Sequence, residues 1–314
     1  MKQKILFITA FLLIAGSNAF GQNVKHFSSI YKSQTNESRY YAVLADNTFW
    51  WFEPGDQVWS QNKATGLPPK YDIKAFSSIY KSQTNESRYY AVLSDNTFWW
   101  FEPGDQVWTQ NKSTGLPANY NVKKFSSIYK AQTNESRYYV VLADNTFWWF
   151  EPGDQVWTQN KSTGLPANYN VKEFSSIYKS QTNESRYYVV LADNTFWWFE
   201  PGDQVWTQNK STGLPANYNV KKFSSIYKSQ TNESRYYVVL ADNTFWWFEP
   251  GDQVWTQNKS TGLPANYNVK EFSSIYKAQT NESRYYAVLA DNTFWWFEPG
   301  DQVWTQNKST GLPK

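Results

Sequence analysis

The chain contains no cysteine and only one histidine among its 314 residues. Without cysteine no disulfide can form, so an exported form of the chain must be stabilised by packing alone. With one histidine and no thiol, the sequence offers few residues that could form a catalytic site of a nucleophile and its general base. The charges are nearly balanced, since 30 Lys and Arg stand against 27 Asp and Glu. This balance argues against nucleic acid and acidic membranes as partners.

Residues 1–21 have the pattern of a secretory signal peptide. Two lysines precede an apolar run from Ile5 to Ala15, which is too short to span a bilayer. Small residues are spaced for cleavage after Ala19 or after Gly21. We therefore expect a soluble mature chain of residues 22–314 that is secreted or periplasmic, with no membrane insertion.

The strongest signal in the sequence is an internal repeat of 49 residues. All 18 tryptophans fall in register with this repeat, three in each unit. The last unit ends at GLPK, whereas Gln22–Lys25 precedes the first, so the two ends supply complementary parts of one linker. A closed ring accounts for this arrangement, although any array of whole repeats would also show it. The six units begin with the segment FSSIYK at Phe27, Phe76, Phe125, Phe174, Phe223 and Phe272.

Each unit has the pattern of four strands separated by turns. In the first unit we predict strands at Phe27–Ser33, Arg39–Leu44, Thr48–Glu53 and Gln57–Asn62. The segments RYYAVL and TFWWF are apolar on both faces, which indicates that each sheet is covered on both sides. We predict an all-β fold, a six-bladed propeller of four-stranded antiparallel blades over residues 22–314. The main competing architecture is an open stack of the same sheets, and a membrane barrel would need longer strands of alternating polarity.

Candidate ligand-binding residues follow from the expected strand pairing. If Asp46 and Asn47 form a two-residue loop, residue 43 pairs with residue 50, and paired residues share a face. Arg39 then shares a face with Trp50 and Trp59, while Glu53 lies on the opposite face. The arginine of one blade could therefore approach the glutamate of the next blade beside tryptophan rings.

This combination of residues is typical of sugar binding. An aromatic face packs on the C–H side of a sugar ring, and arginine offers several fixed donors to its hydroxyl groups. The predicted ligand-binding arginines are Arg39, Arg88, Arg137, Arg186, Arg235 and Arg284. The predicted glutamates are Glu53, Glu102, Glu151, Glu200, Glu249 and Glu298. The predicted tryptophans are Trp50, Trp99, Trp148, Trp197, Trp246 and Trp295, together with Trp59, Trp108, Trp157, Trp206, Trp255 and Trp304.

Two other interpretations use the same residues. In the first, the aromatic side chains are blade core, the Arg–Glu pair joins blades, and the protein is a structural or protein-interaction scaffold of the cell surface or matrix. In the second, Glu53 and Asp56 act as an acid/base pair. Every unit carries both carboxylates, which suits a multivalent binding protein better than an enzyme. His26 lies outside the repeated pattern and is expected to be a solvated loop residue. No spacing predicts a metal or cofactor site.

The layout FSSIY, RYYVVLADNTFWWFE, QVWTQ and GLP resembles the blades of bacterial and fungal β-propeller lectins, including tectonin-type and fucose-binding lectins. The resemblance covers nearly all of residues 22–314. It implies a propeller fold and glycans or glycoconjugates as partners. The segment STGLP replaces the Gly-Gly linker of some such lectins, and no motif matches residue by residue. The candidate residues above therefore depend on the pairing argument alone.

Overall fold

The structure is a computed structural model that describes residues 23–68 and 71–313. The described residues form six four-stranded antiparallel sheets, and each sheet is one blade. Among these residues there is no helix that is long and apolar enough to cross a membrane. The predicted signal peptide lies outside the described residues.

The blades repeat the same strand lengths with little variation. The first blade consists of β1 (Val24–Lys32), β2 (Glu37–Leu44), β3 (Phe49–Phe52) and β4 (Ser60–Asn62). The second consists of β5 (Ile73–Lys81), β6 (Glu86–Leu93), β7 (Phe98–Phe101) and β8 (Thr109–Asn111). The third consists of β9 (Val122–Lys130), β10 (Glu135–Leu142), β11 (Phe147–Phe150) and β12 (Thr158–Asn160). The fourth consists of β13 (Val171–Lys179), β14 (Glu184–Leu191), β15 (Phe196–Phe199) and β16 (Thr207–Asn209). The fifth consists of β17 (Val220–Lys228), β18 (Glu233–Leu240), β19 (Phe245–Phe248) and β20 (Thr256–Asn258). The sixth consists of β21 (Val269–Lys277), β22 (Glu282–Leu289), β23 (Phe294–Phe297) and β24 (Thr305–Asn307).

The blades form a closed ring around a central channel. The first strand of every blade lines the channel, and β1 contacts both β5 and β21. Ser28 Oγ lies 2.7 Å from Ser78 Oγ of the second blade, and Ser29 Oγ lies 2.7 Å from Ser273 Oγ of the sixth. The same serine pair recurs at each of the other blade contacts. The predicted six-bladed propeller is therefore confirmed, and the open stack is excluded.

The hydrophobic core lies between adjacent blades. Tyr40 and Tyr41 point to opposite faces of the first blade, yet they are only 4% and 3% exposed. Tyr41 packs with Tyr89 of the second blade, and Tyr40 packs with Tyr286 of the sixth. Both faces of the blade are therefore covered, as the two-sided apolar pattern predicts.

The hairpin between β2 and β3 differs from the prediction by one residue. Leu44 N donates to the Thr48 carbonyl at 3.0 Å, and Asn47 N donates to the Leu44 carbonyl at 2.9 Å. These bonds enclose a three-residue loop, in which Asn47 has a left-handed φ of 64°. Tyr41 consequently pairs with Trp51, so the predicted pairing of residues 43 and 50 is wrong. A shift of one residue places each side chain of β3 on the opposite face with respect to β2.

The linker between blades is held by glycine and asparagine at fixed positions. Gly66 has a φ of +98°, and a Cβ there would lie 3.0 Å from the Trp108 carbonyl and closer still to the Val107 side chain. The linker can therefore approach the next blade only with glycine at this position. The Asn47 side chain accepts from Ile73 N at 3.0 Å and donates to the Tyr71 carbonyl at 2.9 Å. One asparagine thus shapes its own hairpin and fixes the following linker.

Candidate functional site: the clefts between blades

The arginine and glutamate predicted to meet across blades instead form an ion pair within one blade. Because of the three-residue loop, Arg39 in β2 and Glu53 after β3 lie on the same face. Arg39 Nε donates to Glu53 Oε1 at 2.6 Å, and Arg39 Nη2 contacts the same oxygen. Lys32 Nζ also donates to Glu53 Oε1, at 3.4 Å. The expected cross-blade Arg–Glu contact is therefore wrong, and both groups belong to one preorganised unit.

The guanidinium group is held over an indole ring that the sequence prediction did not include. The Cζ atom of Arg39 lies 4.7 Å from the centroid of Trp51, the second tryptophan of the pair in β3. In the six blades this distance is 4.6–4.7 Å. A cation at this position is attracted to the π face. Burial by itself would lower the pKa of Arg39, but Tyr41, Tyr89 and Glu53 outweigh burial and raise it, so the group stays charged.

The arginine and this second tryptophan line an open cleft between adjacent blades. The cleft between the third and fourth blades has a volume of about 550 Å³, and the next cleft has about 560 Å³. These volumes fall within the usual range for small-molecule sites. The third blade contributes Arg137, Trp149 and the polar segment 159–163. The fourth blade contributes Tyr187, Phe199 and the segment 201–204.

The groups in this cleft can donate to, accept from and pack against a ligand. Arg137 is a permanent donor, and Gln159 offers an amide group. Asp203 offers a carboxylate, and Pro201 offers an apolar ring. Burial raises the pKa of Tyr187, although the neighbouring Arg137 opposes this, so the phenol stays neutral at ordinary pH. Such a combination suits an uncharged polyhydroxylated ligand better than a hydrophobic one.

The two tryptophan sets predicted as ligand platforms lie elsewhere. Trp59 is 3% exposed and packs between Phe52 at 5.3 Å and Phe294 at 4.9 Å. Trp59 therefore has no free face for a sugar, and the same burial applies to its five equivalents. Trp50 is half-buried on the face towards the sixth blade, and its Nε1 donates to Thr48 Oγ1 at 2.9 Å. The equivalents of Trp50 do not line either of the two clefts described above.

His26 is a strand residue and not the solvated loop residue expected from the sequence. It lies in β1, and its Nε2 is 3.1 Å from the Ile73 carbonyl, which identifies Nε2 as the protonated nitrogen. Burial lowers the pKa of His26 to about 4. The equivalent positions in the later blades are Ala75, Lys124, Glu173, Lys222 and Glu271. We call these residues, with His26, the position-26 ring.

The position-26 ring contains two ion pairs between blades. Lys124 Nζ lies 3.0 Å from Glu173 Oε1, and Lys222 Nζ lies 2.8 Å from Glu271 Oε1. Burial raises the pKa of Glu271, against the opposing effect of Lys222. Within residues 23–68 and 71–313, no group of three His, Asp or Glu side chains could hold a metal ion.

Comparison with known proteins defines the fold of the chain. No family model and no curated protein sequence matches it. AofleA from Arthrobotrys oligospora is 13% identical over 93% of this chain and 89% of that chain, with a TM-score of 0.59. The fucose-specific lectin from Aleuria aurantia is 13% identical over 92% of this chain and 96% of that one, with a TM-score of 0.57. The structure of YCF48 bound to D1 peptide is 12% identical over 92% of this chain and 83% of that chain, with a TM-score of 0.51.

These matches identify the chain as a six-bladed β-propeller, the fold reported for the Aleuria aurantia lectin. The resemblance to propeller lectins is confirmed at the level of the fold. At 12–13% identity, however, the matches carry no residue of a binding site over to this chain. The function must therefore be argued from the clefts themselves.

Proposed function

We propose that the protein is an exported, multivalent carbohydrate-binding protein whose sites are the clefts between blades. One observation carries this proposal. In every blade an arginine lies over a tryptophan ring and is held there by an ion pair with a glutamate. Its orientation is set before a ligand arrives, so little conformational entropy is lost on binding. The resemblance of the fold to lectins supports glycans as the ligand class.

The arginine has donors left for a ligand after its ion pair is made. A guanidinium group has five N–H donors in a fixed plane. In the cleft between the third and fourth blades, Arg137 uses Nε and Nη2 on Glu151. The remaining donors can bind neighbouring hydroxyl groups of a sugar, while Gln159 and Asp203 bind others. Glu151 acts as a positioning residue, because its Oε1 already accepts from Arg137 and from Lys130 at 3.3 Å.

Because the site is repeated around the ring, the protein could bind a glycan-bearing surface tightly even if each single site binds weakly. Several equivalent sites on one ring can increase the overall affinity by about 10² to 10⁴ when the geometry allows simultaneous engagement. This reasoning also favours binding over catalysis. In all six blades both an arginine and a lysine contact the glutamate carboxylate. A general acid would need a proton-carrying group that is free to act.

A glycan array with the chain of residues 22–314 tests the proposal. A variant with arginine replaced by alanine at all six cleft positions should lose binding, whereas its near-UV circular dichroism should stay that of a folded protein. A second variant with lysine at the same positions keeps the charge but lacks the planar fork of donors. Weak binding by the lysine variant would support hydrogen-bond recognition, and full binding would show that charge alone suffices. Sequencing the N-terminus of the protein recovered from culture medium or periplasm tests export.

A scaffold without a small ligand is the second candidate function. It is favoured by the burial of the Trp59 set in the core and by the similarity of the fold to that of YCF48, whose structure is bound to D1 peptide. A folded protein that binds no glycan on the array would favour this alternative.

A further inference from the structure

The central channel contains a cavity that is separate from the clefts between blades. It has a volume of about 290 Å³ and is lined by Ser29, Ile30 and Tyr31 of β1 and by the equivalent residues of the other five blades. We call this cavity the axial well. None of its lining residues lines either of the two clefts described above, and none carries a charge. The axial well therefore has its own chemistry, which the cleft residues do not determine.

The serines of the axial well have hydrogen-bonding capacity that the protein does not use. Each of them pairs with one serine of an adjacent blade, as Ser78 Oγ does with Ser28 Oγ at 2.7 Å. Two hydroxyl groups have two protons, and one hydrogen bond between them uses only one. Among the described residues, neither member of a pair makes another side-chain hydrogen bond, and both are half-buried. Each pair therefore keeps one donor and several lone pairs for a group inside the channel.

The tyrosines of the axial well offer a ligand their rings and not their hydroxyl groups. The Tyr31 hydroxyl donates to Asn36 Oδ1 at 2.8 Å and accepts from Gln279 N of the sixth blade at 3.3 Å. The same two bonds recur at the equivalent tyrosine of every other blade. The hydroxyl groups are thus occupied, and the side chains are held in place before a ligand arrives. An apolar C–H surface can pack on such rings.

These properties select among the classes of ligand. An ion would find no opposite charge on the lining residues, and an unpaired charge is costly to remove from water. A wholly apolar molecule would leave the free serine donors unpaired. A small polyol suits both parts of the lining, because its hydroxyl groups both donate and accept while its C–H groups are apolar. The volume lies at the lower end of the usual range for small-molecule sites, which limits the ligand to about one ring.

We propose that the axial well binds one neutral cyclic polyol, with the size of a single sugar or cyclitol ring. The hydroxyl groups of the ligand would donate to and accept from the serines, and its C–H groups would pack on the tyrosine rings. The axial well occurs once in the chain, since all six blades contribute to it. It uses none of the cleft arginines, so this binding goes beyond the carbohydrate binding proposed for the clefts and does not depend on it.

Saturation-transfer NMR with myo-inositol and the chain of residues 22–314 tests the proposal. Inositol has a hydroxyl group on every ring carbon, and we expect transfer to its C–H protons with a dissociation constant on the order of 1 mM. Cyclohexanol has the same ring with a single hydroxyl group. It should bind at least about fivefold more weakly, because most of the serine donors would be left unpaired. The absence of transfer to inositol, or equal affinity for the two compounds, would overturn the proposal.

Two matched serine variants locate the site. One has alanine in place of the six serines of the axial well, Ser29, Ser78, Ser127, Ser176, Ser225 and Ser274. The other has alanine in place of their partners, Ser28, Ser77, Ser126, Ser175, Ser224 and Ser273, which do not line the well. Both variants lose the same serine pairs, so their stabilities should be similar, but only the first loses hydroxyl groups from the well.

Inositol binding should weaken at least about fivefold in the first variant and persist in the second. Equal weakening in both would overturn the proposal, because the serines would then act only by joining the blades. If near-UV circular dichroism shows that either chain is unfolded, the same substitutions in alternate blades keep half of the pairs and allow the same comparison.

The variant with alanine at the six cleft arginines separates the axial well from the clefts. It should bind inositol in the well with unchanged affinity, because no cleft arginine lines the well. Loss of inositol binding in this variant, while it remains folded, would assign the binding to the clefts and overturn the proposal. Failure of the glycan array would instead refute only the function proposed for the clefts.

Discussion

Lowering the pH should destabilise the protein through His26. Its Nε2 donates to the Ile73 carbonyl at 3.1 Å. Burial, reinforced by Lys25 and Lys222, lowers its pKa from 6.5 to about 4, although the hydrogen bond to Ile73 and the charge of Asp72 oppose this. Between these two values the unfolded chain is protonated at His26 and the folded chain is not. The unfolded state therefore binds more protons, and the free energy of unfolding falls as the pH falls. The loss from His26 is about 2 kcal/mol between pH 7 and pH 5, and about 3 kcal/mol at pH 4.

The His26→Ala variant isolates this effect, because Ala75 shows that the equivalent position of the next blade accepts alanine. Urea unfolding followed by tryptophan fluorescence gives the free energy of unfolding for both proteins from pH 7 to pH 4. Carboxylates titrate in both proteins, so the difference between the two curves reports on His26. The wild type should lose stability relative to the variant by the amounts given above. Parallel curves would refute the assignment of His26 as a half-buried group that is neutral in the folded protein.

Substitutions at three further positions test the linker and its tyrosine. Gly115→Ala should destabilise the protein by more than about 1 kcal/mol, because φ is +95° and the new Cβ would collide with Val156. Gly104→Ala should change stability by less than about 0.5 kcal/mol, since it has nothing within 4 Å, and equal thermal shifts would contradict this account. Tyr120→Phe should cost about 1 kcal/mol through the lost bond to the Asn96 carbonyl, and Tyr120→Ala should cost about 3 kcal/mol, as measured by urea unfolding. No loss on Tyr120→Phe would mean that the hydroxyl does not hold the linker.

The fold could be predicted from the sequence because the repeat constrains it at many positions. The unit of 49 residues gives the number of blades, and the turn residues divide each unit into four strands. Strands such as RYYAVL have apolar side chains on both faces, so both faces must be buried against other elements. Blades that pack between two neighbouring blades provide this burial. The choice between a closed ring and an open stack needed the structure, in which the Ser29–Ser273 contact joins the first and sixth blades.

The candidate site was predicted only in part, because it depended on a single loop length. The pair Asp46 and Asn47 fits a two-residue hairpin loop, but Ala45 is included, and Asn47 takes the left-handed position at the end of a three-residue loop. Because the loop is one residue longer than predicted, Trp51 and not Trp50 lies beside Arg39, and Glu53 lies on the same face of the blade. Both loop types accept an asparagine with positive φ, so the local sequence did not decide between them. The apolar pattern did not decide either, since both faces of the strands are apolar.

The residues of the position-26 ring differ from blade to blade, so they can distinguish some blades from others. Nearly all contacts between blades use the same residues six times, so a partly folded chain has little to distinguish the correct neighbour of a blade from another blade. Lys124, Glu173, Lys222 and Glu271 alternate in sign around the channel. If the fourth blade were skipped, Lys124 and Lys222 would come together, and if the fifth were skipped, Glu173 and Glu271 would do so. Like charges repel strongly in such a poorly solvated place. The alternation therefore disfavours rings that omit the fourth or the fifth blade, and it favours neighbours in chain order at these positions.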